Sequence, residues 1–530
     1  MHWIWLFLSW GIVAFGQPAG LAGVGVLAAA LGYALFWKAM LAFPQPKERF
    51  FLSVIWFASV QSVQLSWFST THYMGPLILV VYCLVIVGLG VQFGLLSFFI
   101  APPIGAQKAF AAAGFWVILE WLRLFVLCGF TWNPVGLALT ESHFSLQFAA
   151  VWGVFGLSFW VIWANVLALN AYLRKTARSF AIWALVACVP YLFGLMHRHF
   201  VNDEALSHGT LRVALVQTAL RPEQKEFFSE WAHAYMQPKD QWARIYKLLD
   251  PTKQVDLLVF PEATLPRSMH IAQFDLEWVQ KYFDASYWPP LTPPYAKQHI
   301  GGWKVTNAFL VQALANYLNA HIIVGSDDAD ETGEYNAAFH FSPRGDLPER
   351  YEKRVLAPIA EYIPLRQWHK MAQFVAEEFG IYNSFDHGIA AKIFAQPCPI
   401  GVSICLEETF SQLIRELRQK GACLFVNLTN DAWFPGSTLP QQHFDHGRVR
   451  AAENGVCILR ACNTGVTGVI DCFGAPLQTL SCPETEAGVL YTTVPLRAFK
   501  TLYTWWGDGA ILGMSAAALL TQLRRKKKLP

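Results

Sequence analysis

Residues 399–410 read PIGVSICLEETF, and the periodicity of this stretch changes at Cys405. Before the cysteine, apolar residues alternate with small ones as in a buried strand, whereas Glu407 to Gln419 has the apolar spacing of a helix. A strand that leads into a helix is the repeating unit of α/β folds. The stretch therefore predicts an α/β domain with a cysteine at a strand-to-helix turn.

The position of Cys405 also predicts chemistry. The free N–H groups and partial positive charge of a helix start stabilise a thiolate and can hold a developing oxyanion. The alternative is a small buried core residue, which is what an isolated cysteine usually is. The residues that the fold brings near Cys405 decide between the two.

The composition divides the chain into a membrane part and a globular part. Its 530 residues are 54% hydrophobic and 15% charged, and the apolar excess lies in residues 1–200. We predict a membrane domain over 1–200, a globular domain over 211–497, and a last transmembrane helix with a basic tail over 505–530. The net charge of +3 is accounted for by that tail and does not indicate nucleic-acid binding.

Apolar stretches that approach the length needed to cross a bilayer, about 20 residues, recur along the membrane part. The first has neither a basic n-region nor a small-residue cleavage site, so we expect a retained helix rather than a signal peptide. We predict seven spans before the globular domain and an eighth after it, over residues 3–16, 19–42, 50–68, 75–100, 108–126, 147–170, 179–196 and 508–523.

Basic residues in the loops predict the sidedness of these helices, because Lys and Arg collect on the cytoplasmic side. They flank the second loop, follow the fourth, mark the sixth and form the tail, whereas the third and fifth loops carry none. The pattern places both termini in the cytoplasm and the globular domain on the other side, which in a bacterium is the periplasm. The basic residues are Lys38, Lys47, Arg49, Lys108, Arg174, Lys175, Arg178, Arg524, Arg525, Lys526, Lys527 and Lys528.

Within the fifth predicted span, Glu120 and Arg123 lie three residues apart on one helix face and are expected to pair. Ionisable groups at that depth are functional candidates. The alternative is that both lie at the outer interface, beside the loop GFTWNPVG (129–136), and the sequence leaves the two interpretations open.

Short apolar or β-branched runs predict the strands of the globular domain, and intervening helical stretches give an α/β pattern buried on both sides. The runs are LRVALVQT (211–218), VDLLVFPE (255–262), HIIVGSDD (321–328), AAFHFSP (337–343), PIGVSIC (399–405), CLFVNLTN (423–430), VCILRACN (456–463), TGVIDCFG (467–474) and GVLYTTV (488–494).

Three residues at element ends form a coherent set for acyl transfer. Glu262 ends the second strand, where α/β folds expose catalytic side chains, and Lys353 lies in the segment RYEKRVLAPIAEYIP (350–364). Glu262 would take the thiol proton of Cys405, whose sulfur would attack a carbonyl carbon, and Lys353 with the Leu406 N–H would hold the oxyanion.

Other catalytic sets are less consistent with the sequence. His443 and His446 could pair with a cysteine as in papain-like proteases, but the contexts of the acid and the lysine would then be unexplained.

The ten cysteines include no CxxC pair, so no metal site is expected. Cys83, Cys128 and Cys188 fall in or next to membrane spans. The other seven, an odd number, suit one free catalytic thiol where disulfides are possible, and no pairing is assigned.

Several motifs carry a resemblance to a known family. FPE, YEK, the Cys405 turn and NLTNDAWF resemble the Glu-Lys-Cys signature of the nitrilase, or carbon-nitrogen hydrolase, superfamily. When motifs of the membrane part and of the C-terminal region are added, nearly the whole chain is similar to the apolipoprotein N-acyltransferases. The fold implied is an αββα sandwich joined to a polytopic α-helical membrane domain of about eight spans. The motifs are FPE (260–262), YEK (351–353), NLTNDAWF (427–434), WVILEWLR (116–123), NDAWFPGSTLPQQHFDHGRVRAAENG (430–455) and TLYTWWGD (501–508).

This resemblance implies an activity and its partners. A fatty acyl group passes from a membrane phospholipid to the α-amine of the diacylglyceryl-cysteine that begins an apolipoprotein, without a cofactor, at the bacterial inner membrane. The pattern of the family puts the general base on Glu262, the oxyanion lysine on Lys353 and the nucleophile on Cys405. Supporting acids fall on Glu361 and Glu407.

The chain departs from the family pattern in places that concern substrate contacts. Leu406 stands where an aromatic residue usually follows the nucleophile, and LAPIAEY (356–362) replaces the usual Val-Pro-Phe-Gly-Glu-Tyr run. A Trp expected soon after the first strand of the domain is absent before Trp231.

Two other function classes compete with the acyltransferase. One is a membrane-tethered amidase or nitrilase that passes the thioester to water, and the other is a transporter or scaffold with an inactive domain. A complete acid, lysine and cysteine set argues against the second. The predicted membrane anchor favours a lipid donor and a lipidated acceptor over a water-soluble substrate.

Residues 282–307 form a long segment rich in Pro, Gly and aromatic residues, between Glu262 and the strand at His321. Trp and Tyr favour the membrane interface, and Gly301 and Gly302 could act as a hinge. We hypothesise a mobile lid over Cys405. The alternative is an inert segment packed on the domain surface.

Overall fold

The computed structural model describes residues 2–18, 20–201, 207–227, 229–345, 347–364, 368–379 and 384–526. Contacts divide the chain into two compact units. Unit 1 comprises Met1–Asn202, Gly436–Gly455 and Lys500–Pro530, and unit 2 comprises Asp203–Pro435 and Val456–Phe499. Lys527 and Lys528 of the predicted basic tail lie outside the described residues.

Helices and strands are numbered in chain order. The α-helices of the described residues are α1 His2–Phe15, α2 Val24–Leu27, α3 Tyr33–Met40, α4 Pro46–Gln64, α5 Ile78–Phe99, α6 Ala106–Leu122, α7 His143–Leu146, α8 Ala149–Arg174, α9 Ala177–Phe200, α10 Pro222–Lys225, α11 Pro238–Leu248, α12 Leu276–Val279, α13 Asn307–Leu318, α14 His369–Phe379, α15 Ser411–Gln419, α16 Leu439–Asn454, α17 Leu502–Trp506 and α18 Gly509–Lys526. The strands are β1 Ser207–Gln217, β2 Leu257–Val259, β3 Phe274–Asp275, β4 Ala296–His299, β5 Gly302–Val305, β6 His321–Asp330, β7 Gly333–Phe341, β8 Glu349–Glu352, β9 Ile393–Phe394, β10 Ile400–Ile404, β11 Leu424–Thr429, β12 Cys457–Cys462, β13 Gly468–Ile470, β14 Pro476–Thr479 and β15 Gly488–Arg497.

In unit 1, helices occupy all eight stretches predicted to cross the membrane, and a π-helical turn joins α2 to α3. Of these helices, α5, α8 and α9 are long and apolar enough to span a bilayer by length and composition. Helix α1 and the run from α2 to α3 are shorter apolar helices. Helix α4 falls short because its first turn contains Lys47, Glu48 and Arg49. The helix positions are confirmed, while the count of eight spans stays a prediction.

Residues 436–455 pack within unit 1, although the sequence places them inside the globular domain. Gln442 of α16 accepts a hydrogen bond from Trp67 Nε1 at 3.0 Å. Glu453 of the same helix accepts one from the backbone N–H of Val154 at 2.8 Å. The structure therefore differs at α16 from the continuous globular domain that the sequence predicts, because the polar side chains of this helix bond to unit 1.

Unit 2 contains two six-stranded sheets. Their strand orders are β15-β1-β2-β6-β7-β8 and β14-β13-β12-β11-β10-β9. The central strands are parallel in each sheet: β1, β2 and β6 in the first, and β10, β11 and β12 in the second. Strand β1 contacts β12 of the other sheet, α13 packs on the first sheet and α15 on the second. Two sheets covered by helices form the predicted αββα sandwich.

The parallel strands of the second sheet position the functional residues. Both β10 and β11 are buried along their whole length, as expected for apolar parallel strands covered on both faces. Their register pairs Ile400 with Leu424 and Ile404 with Leu428. Because parallel strands end at the same edge of a sheet, the residue that follows β10, Cys405, lies at that edge.

Much of the predicted lid segment, residues 282–307, is packed rather than free. Strands β4 and β5 form a hairpin that pairs with β3. Tyr295 belongs to a buried core, and Trp288 and Trp303 pack against that core. Ile300 at the hairpin tip is fully exposed. For all but the tip, this packing favours a surface segment over a lid.

Candidate active site

Glu262 follows β2 at a point where two backbones lie very close together. A Cβ atom added at Gly325 of β6 would come within 2.6 Å of the Glu262 Cα atom, so the approach requires glycine. The Gly325 N–H donates to the Pro261 carbonyl at 3.2 Å, and Ala263 adopts a left-handed φ of 45°. This tight turn holds the Glu262 side chain in the interior, at 5% exposure.

Lys353 lies between two carboxylates. Its Nζ atom is 2.8 Å from Oε1 of Glu262 and 2.9 Å from Oε1 of Glu361. Burial disfavours the charged amine, but the two carboxylates outweigh burial and hold the pKa of Lys353 well above its usual value. The structure therefore brings these three predicted residues together around a permanent positive charge.

Asn336, which no sequence motif indicates, completes this cluster. Its Nδ2 atom donates to Oε1 of Glu262 at 2.8 Å and to Oε1 of Glu361 at 2.7 Å. Its backbone carbonyl accepts a hydrogen bond from the backbone N–H of Lys353 at 2.9 Å. Asn336 is buried within β7, where no local sequence signal distinguishes a functional amide from a structural one.

Cys405 follows β10 in a left-handed conformation with φ of 52°, which is costly for a residue with a side chain. Asn427 of the neighbouring strand β11 holds this turn. Its Nδ2 atom donates to the Cys405 carbonyl at 3.2 Å and to the Ser403 Oγ at 3.1 Å. The sharp turn predicted at Cys405 is thus present and is fixed from the adjacent strand.

The surroundings of Cys405 keep its thiol protonated at rest. Burial raises the pKa of the thiol well above its usual value, the Glu262 charge adds to this, and Lys353 opposes it. The expectation that a helix start would stabilise a thiolate is therefore wrong. Cys405–Thr409 forms a 3-10 turn, and the helix begins only at Ser411. Reaction requires a base that removes the thiol proton.

Glu407 links the turn after β10 to the segment after β8. Its carboxylate accepts hydrogen bonds from the backbone N–H of Ile404 at 2.8 Å and of Arg354 at 2.6 Å, and from the Tyr351 hydroxyl at 2.8 Å. Burial raises the pKa of Glu407, and these donors oppose the shift. Glu407 therefore fixes the residue before Cys405 relative to the residue after the lysine.

The remaining predicted residues of unit 2 lie in short turns. Leu406 is half-buried in the 3-10 turn, and its carbonyl accepts the Thr409 hydroxyl at 2.7 Å. Trp231 lies in the 3-10 helix Ser229–Ala234 and is half-buried. No group of three or more potential metal ligands occurs in the part of the chain that the structure describes.

A further acidic group lies near Glu262. Burial raises the pKa of Asp327 to about 7, with the charge of Glu262 adding to the rise and Lys225 opposing it. Lys225 also donates a hydrogen bond from Nζ to the Ala263 carbonyl, beside the turn that carries Glu262. The base is thus flanked by a carboxyl group that titrates near neutral pH.

The ionisable pair predicted in unit 1 is formed. Arg123 Nη2 lies 3.2 Å from Oε1 of Glu120, and both side chains are buried. The same carboxylate oxygen accepts Trp116 Nε1 at 2.8 Å and the Val135 N–H at 2.9 Å. These bonds tie α6 to the turn at Val135, which gives the pair a clear structural role.

The two histidines considered as protease-like partners also belong to unit 1. The rings of His443 and His446 lie edge-on to Trp132, with centroid distances of 5.6 Å and 5.1 Å. Cys405 belongs to unit 2. Each of the two histidines thus makes an aromatic contact with Trp132, whereas Glu262 and Lys353 belong to a charged cluster.

Comparisons with known proteins cover both units. Residues 212–502 match the family model for carbon-nitrogen hydrolases, and residues 12–167 match that for the apolipoprotein N-acyltransferase N-terminal domain. The apolipoprotein N-acyltransferase of Chlamydia caviae is 30% identical over 96% of this chain and 95% of its own length. That of Chlamydia pneumoniae is 31% identical over 94% and 93%, and that of Geobacter metallireducens is 29% identical over 78% and 73%. Together with the buried charged cluster at the end of β2 and the cysteine turn after β10, these matches show that the chain belongs to the apolipoprotein N-acyltransferase family.

Proposed function

We propose that this chain transfers a fatty acyl group from a phospholipid to the α-amine of the N-terminal diacylglyceryl-cysteine of an apolipoprotein, through a thioester on Cys405. The observation that carries the proposal is Lys353, buried between Glu262 and Glu361, whose charges act on a protonated Cys405 thiol. This set supplies a base, a cation and a nucleophile, which are the groups that acyl transfer requires.

The first half-reaction forms the acyl-enzyme. Glu262 accepts the proton of the Cys405 thiol as the sulfur attacks the ester carbonyl carbon of the phospholipid. Lys353 stabilises the negative charge that develops on the carbonyl oxygen, and the Leu406 N–H is the second donor. The carbon–oxygen ester bond then breaks, and Glu262 returns the proton to the departing glycerol oxygen. The products are a lysophospholipid and a thioester on Cys405.

The second half-reaction delivers the acyl chain to the acceptor. The α-amine of the lipidated cysteine attacks the thioester carbonyl, and Glu262 takes the amine proton. The carbon–sulfur bond breaks, and the Cys405 sulfur regains a proton from Glu262. An amide is formed, and both catalytic groups return to their starting protonation states.

Three further residues position this machinery. Asn336 donates to the same oxygen of Glu262 that contacts Lys353, which fixes the orientation of the base. Glu361 supplies the second carboxylate that keeps the lysine charged. Glu407 holds the backbone before the nucleophile and the backbone after the lysine in one register. Such orientation contributes several orders of magnitude to the rate when groups must meet within about 3–3.5 Å.

For the membrane, we infer eight spans, with both termini in the cytoplasm and the catalytic domain in the periplasm. The distribution of basic residues among the loops supports this arrangement. Further support comes from α16, which in sequence interrupts unit 2. Within unit 1 it contacts Trp67, at the end of the third predicted span, and Trp132, in the fifth loop. The third and fifth loops lack Lys and Arg. A phospholipid donor and a lipidated acceptor both fit a membrane-embedded enzyme.

The proposal is tested by following one labelled acyl chain. The full-length protein is placed in vesicles of phospholipid that carries an isotopically labelled acyl chain, with a synthetic diacylglyceryl lipopeptide that has a free N-terminus. We expect the lipopeptide to gain the mass of one labelled acyl group. Cys405→Ala should lose this product, whereas Cys482→Ser should retain it. Release of labelled free fatty acid without modified lipopeptide would favour the competing membrane-tethered hydrolase.

A further inference from the structure

Four cysteines of unit 2 occur as two close pairs, and the acyl-transfer mechanism uses none of them. The thiols of Cys398 and Cys423 lie within hydrogen-bonding distance of each other. The same holds for Cys457 and Cys472. The seven cysteines of unit 2 are Cys398, Cys405, Cys423, Cys457, Cys462, Cys472 and Cys482.

The first pair joins the starts of two neighbouring strands. Cys398 lies two residues before β10, and Cys423 lies one residue before β11. The Cys423 N–H donates to the Pro399 carbonyl at 2.9 Å, and the Cys423 thiol donates to the same carbonyl at 3.4 Å. Adjacent strands lie about 4.8 Å apart, and disulfides join Cα atoms about 4.4–6.8 Å apart. The two cysteines are offset by one residue in the register of these strands, and the spacing of neighbouring strands is compatible with a disulfide between them.

The second pair joins the neighbouring strands β12 and β13. Cys457 is the first residue of β12, and Cys472 lies two residues after β13. These strands are antiparallel, with Ile458 opposite Ile470, so the two cysteines meet at one end of the ladder. Both cysteines are buried, whereas Cys398 and Cys423 are half-buried.

Both pairs lie away from the nucleophile. Strands β10, β11 and β12 are parallel, and the pairs occupy the edge where these strands begin. Cys405 follows β10, at the opposite edge. In the first pair, the contact with Cys398 lowers the pKa of Cys423. A lowered pKa favours the thiolate, which is the form that attacks a disulfide.

We propose that Cys398–Cys423 and Cys457–Cys472 are disulfides in the mature protein, and this inference rests on the periplasmic placement of the catalytic domain proposed above. Each pair gives up two protons and two electrons and gains one S–S bond. The oxidant is a protein disulfide of that compartment, of the dithiol–disulfide oxidoreductase class. One thiolate attacks it to give a mixed disulfide, the partner thiol displaces it, and the oxidant leaves as a dithiol.

The test counts reactive thiols in the full-length protein. Membranes are quenched in acid, and the protein is denatured, treated with neutral hydroxylamine to cleave any thioester on Cys405, and alkylated with and without reduction before intact-mass analysis and peptide mapping. Of the ten cysteines, we expect six to react without reduction and all ten to react after it. Alkylation of both members of a pair without reduction overturns that disulfide.

A single substitution assigns the connectivity. Cys398→Ser should free Cys423 for alkylation and leave Cys457 and Cys472 protected, whereas the control Cys482→Ser should free none of them. If Cys423 stays protected in Cys398→Ser, the proposed pairing is wrong. The outcome is separable from the acyl-transfer proposal, because a thioester on Cys405 in a protein whose paired thiols are reduced overturns the disulfides alone.

Discussion

The Nζ atom of Lys353 lies 2.8 Å from Oε1 of Glu262, and both side chains are buried. Glu361 contacts the same nitrogen at 2.9 Å. When Glu262 accepts a proton, Lys353 therefore keeps one charged partner. The ammonium stays fixed and charged at the moment when negative charge develops on the substrate, which is the condition for electrostatic stabilisation without reorganisation.

Replacing the lysine should damage both stability and activity. Lys353→Met leaves Glu262 and Glu361 uncompensated in the interior, so the free energy of unfolding should fall by about 3–5 kcal/mol and lipopeptide acylation should be lost. The control is Lys392→Met, whose amine pairs with Glu349 at 3.4 Å on the surface and should matter by about 0–1 kcal/mol. Denaturant unfolding and product mass measure both effects. Full activity in Lys353→Met would remove the lysine from the oxyanion role.

Glu407 should act on the rate through position alone. Glu407→Gln replaces a carboxylate that accepts from Ile404, Arg354 and Tyr351, so we expect kcat to fall about 10–100-fold with little change in KM. Glu416→Gln is the matched control, because Glu416 also bonds Arg354, at 2.7 Å, but at the surface. Equal kinetics for the two variants would show that Glu407 has no positioning role.

Asp327 should make stability depend on pH. Its pKa of about 7 lies above the unfolded value of about 3.9, so the folded protein binds this proton more tightly. The stabilisation is complete below about pH 4 and is lost as the pH rises through 7. Asp327→Asn removes this loss, so the Tm of the variant minus that of the wild type should be larger at pH 8 than at pH 4.5.

The control for that experiment has the opposite sign. Hydrogen bonds from Thr332 and Arg350 lower the pKa of Asp330, so its ionised form stabilises the fold at higher pH. Asp330→Asn should therefore lose Tm relative to the wild type as the pH rises. If Asp327→Asn behaves like Asp330→Asn, the assignment of a raised pKa to Asp327 is wrong.

The proposed orientation predicts the location of two reporters. At a fusion site after Lys528, a reporter enzyme that works only in the cytoplasm should be active, because the tail is basic. At an insertion site beside Asp330, in the exposed turn between β6 and β7, a reporter enzyme that works only in the periplasm should be active. Activity of both on the same side would mean that α18 does not cross the membrane and that the count of eight spans is wrong by one.

Local sequence patterns were sufficient for the two catalytic turns and for nine of the strands in the described residues, but they missed the short strands β3, β4, β5, β8, β9 and β14. The runs that became β10 and β11 consist mostly of apolar and small residues, and every residue of both strands is buried, as expected for strands covered on both faces. Glu262 and Cys405 could be found because each ends such a run. The apolar residues that precede each of them in sequence identify both positions. The structure adds the strained φ of Cys405 and the close approach of the Gly325 backbone to Glu262.

Contacts between distant parts of the chain could not be predicted in this way. Asn336 meets Glu262 across 74 positions of the sequence, and Tyr351 meets Glu407 across 56. The assignment of α16 to unit 1 depends on polar partners such as Trp67, whereas sequence periodicity detects only apolar faces. The missed residues are therefore those whose roles depend on hydrogen bonds to remote segments.

The covalent state of Cys405 tests the central claim most directly. The full-length protein is incubated with phospholipid alone and its intact mass is measured before and after neutral hydroxylamine, which cleaves thioesters. We predict a gain of one acyl chain that maps to Cys405, disappears with hydroxylamine and is absent from Cys405→Ser, whose hydroxyl is a much poorer nucleophile. Lipopeptide acylation by Cys405→Ser, or an acyl group attached to another residue, would contradict the account.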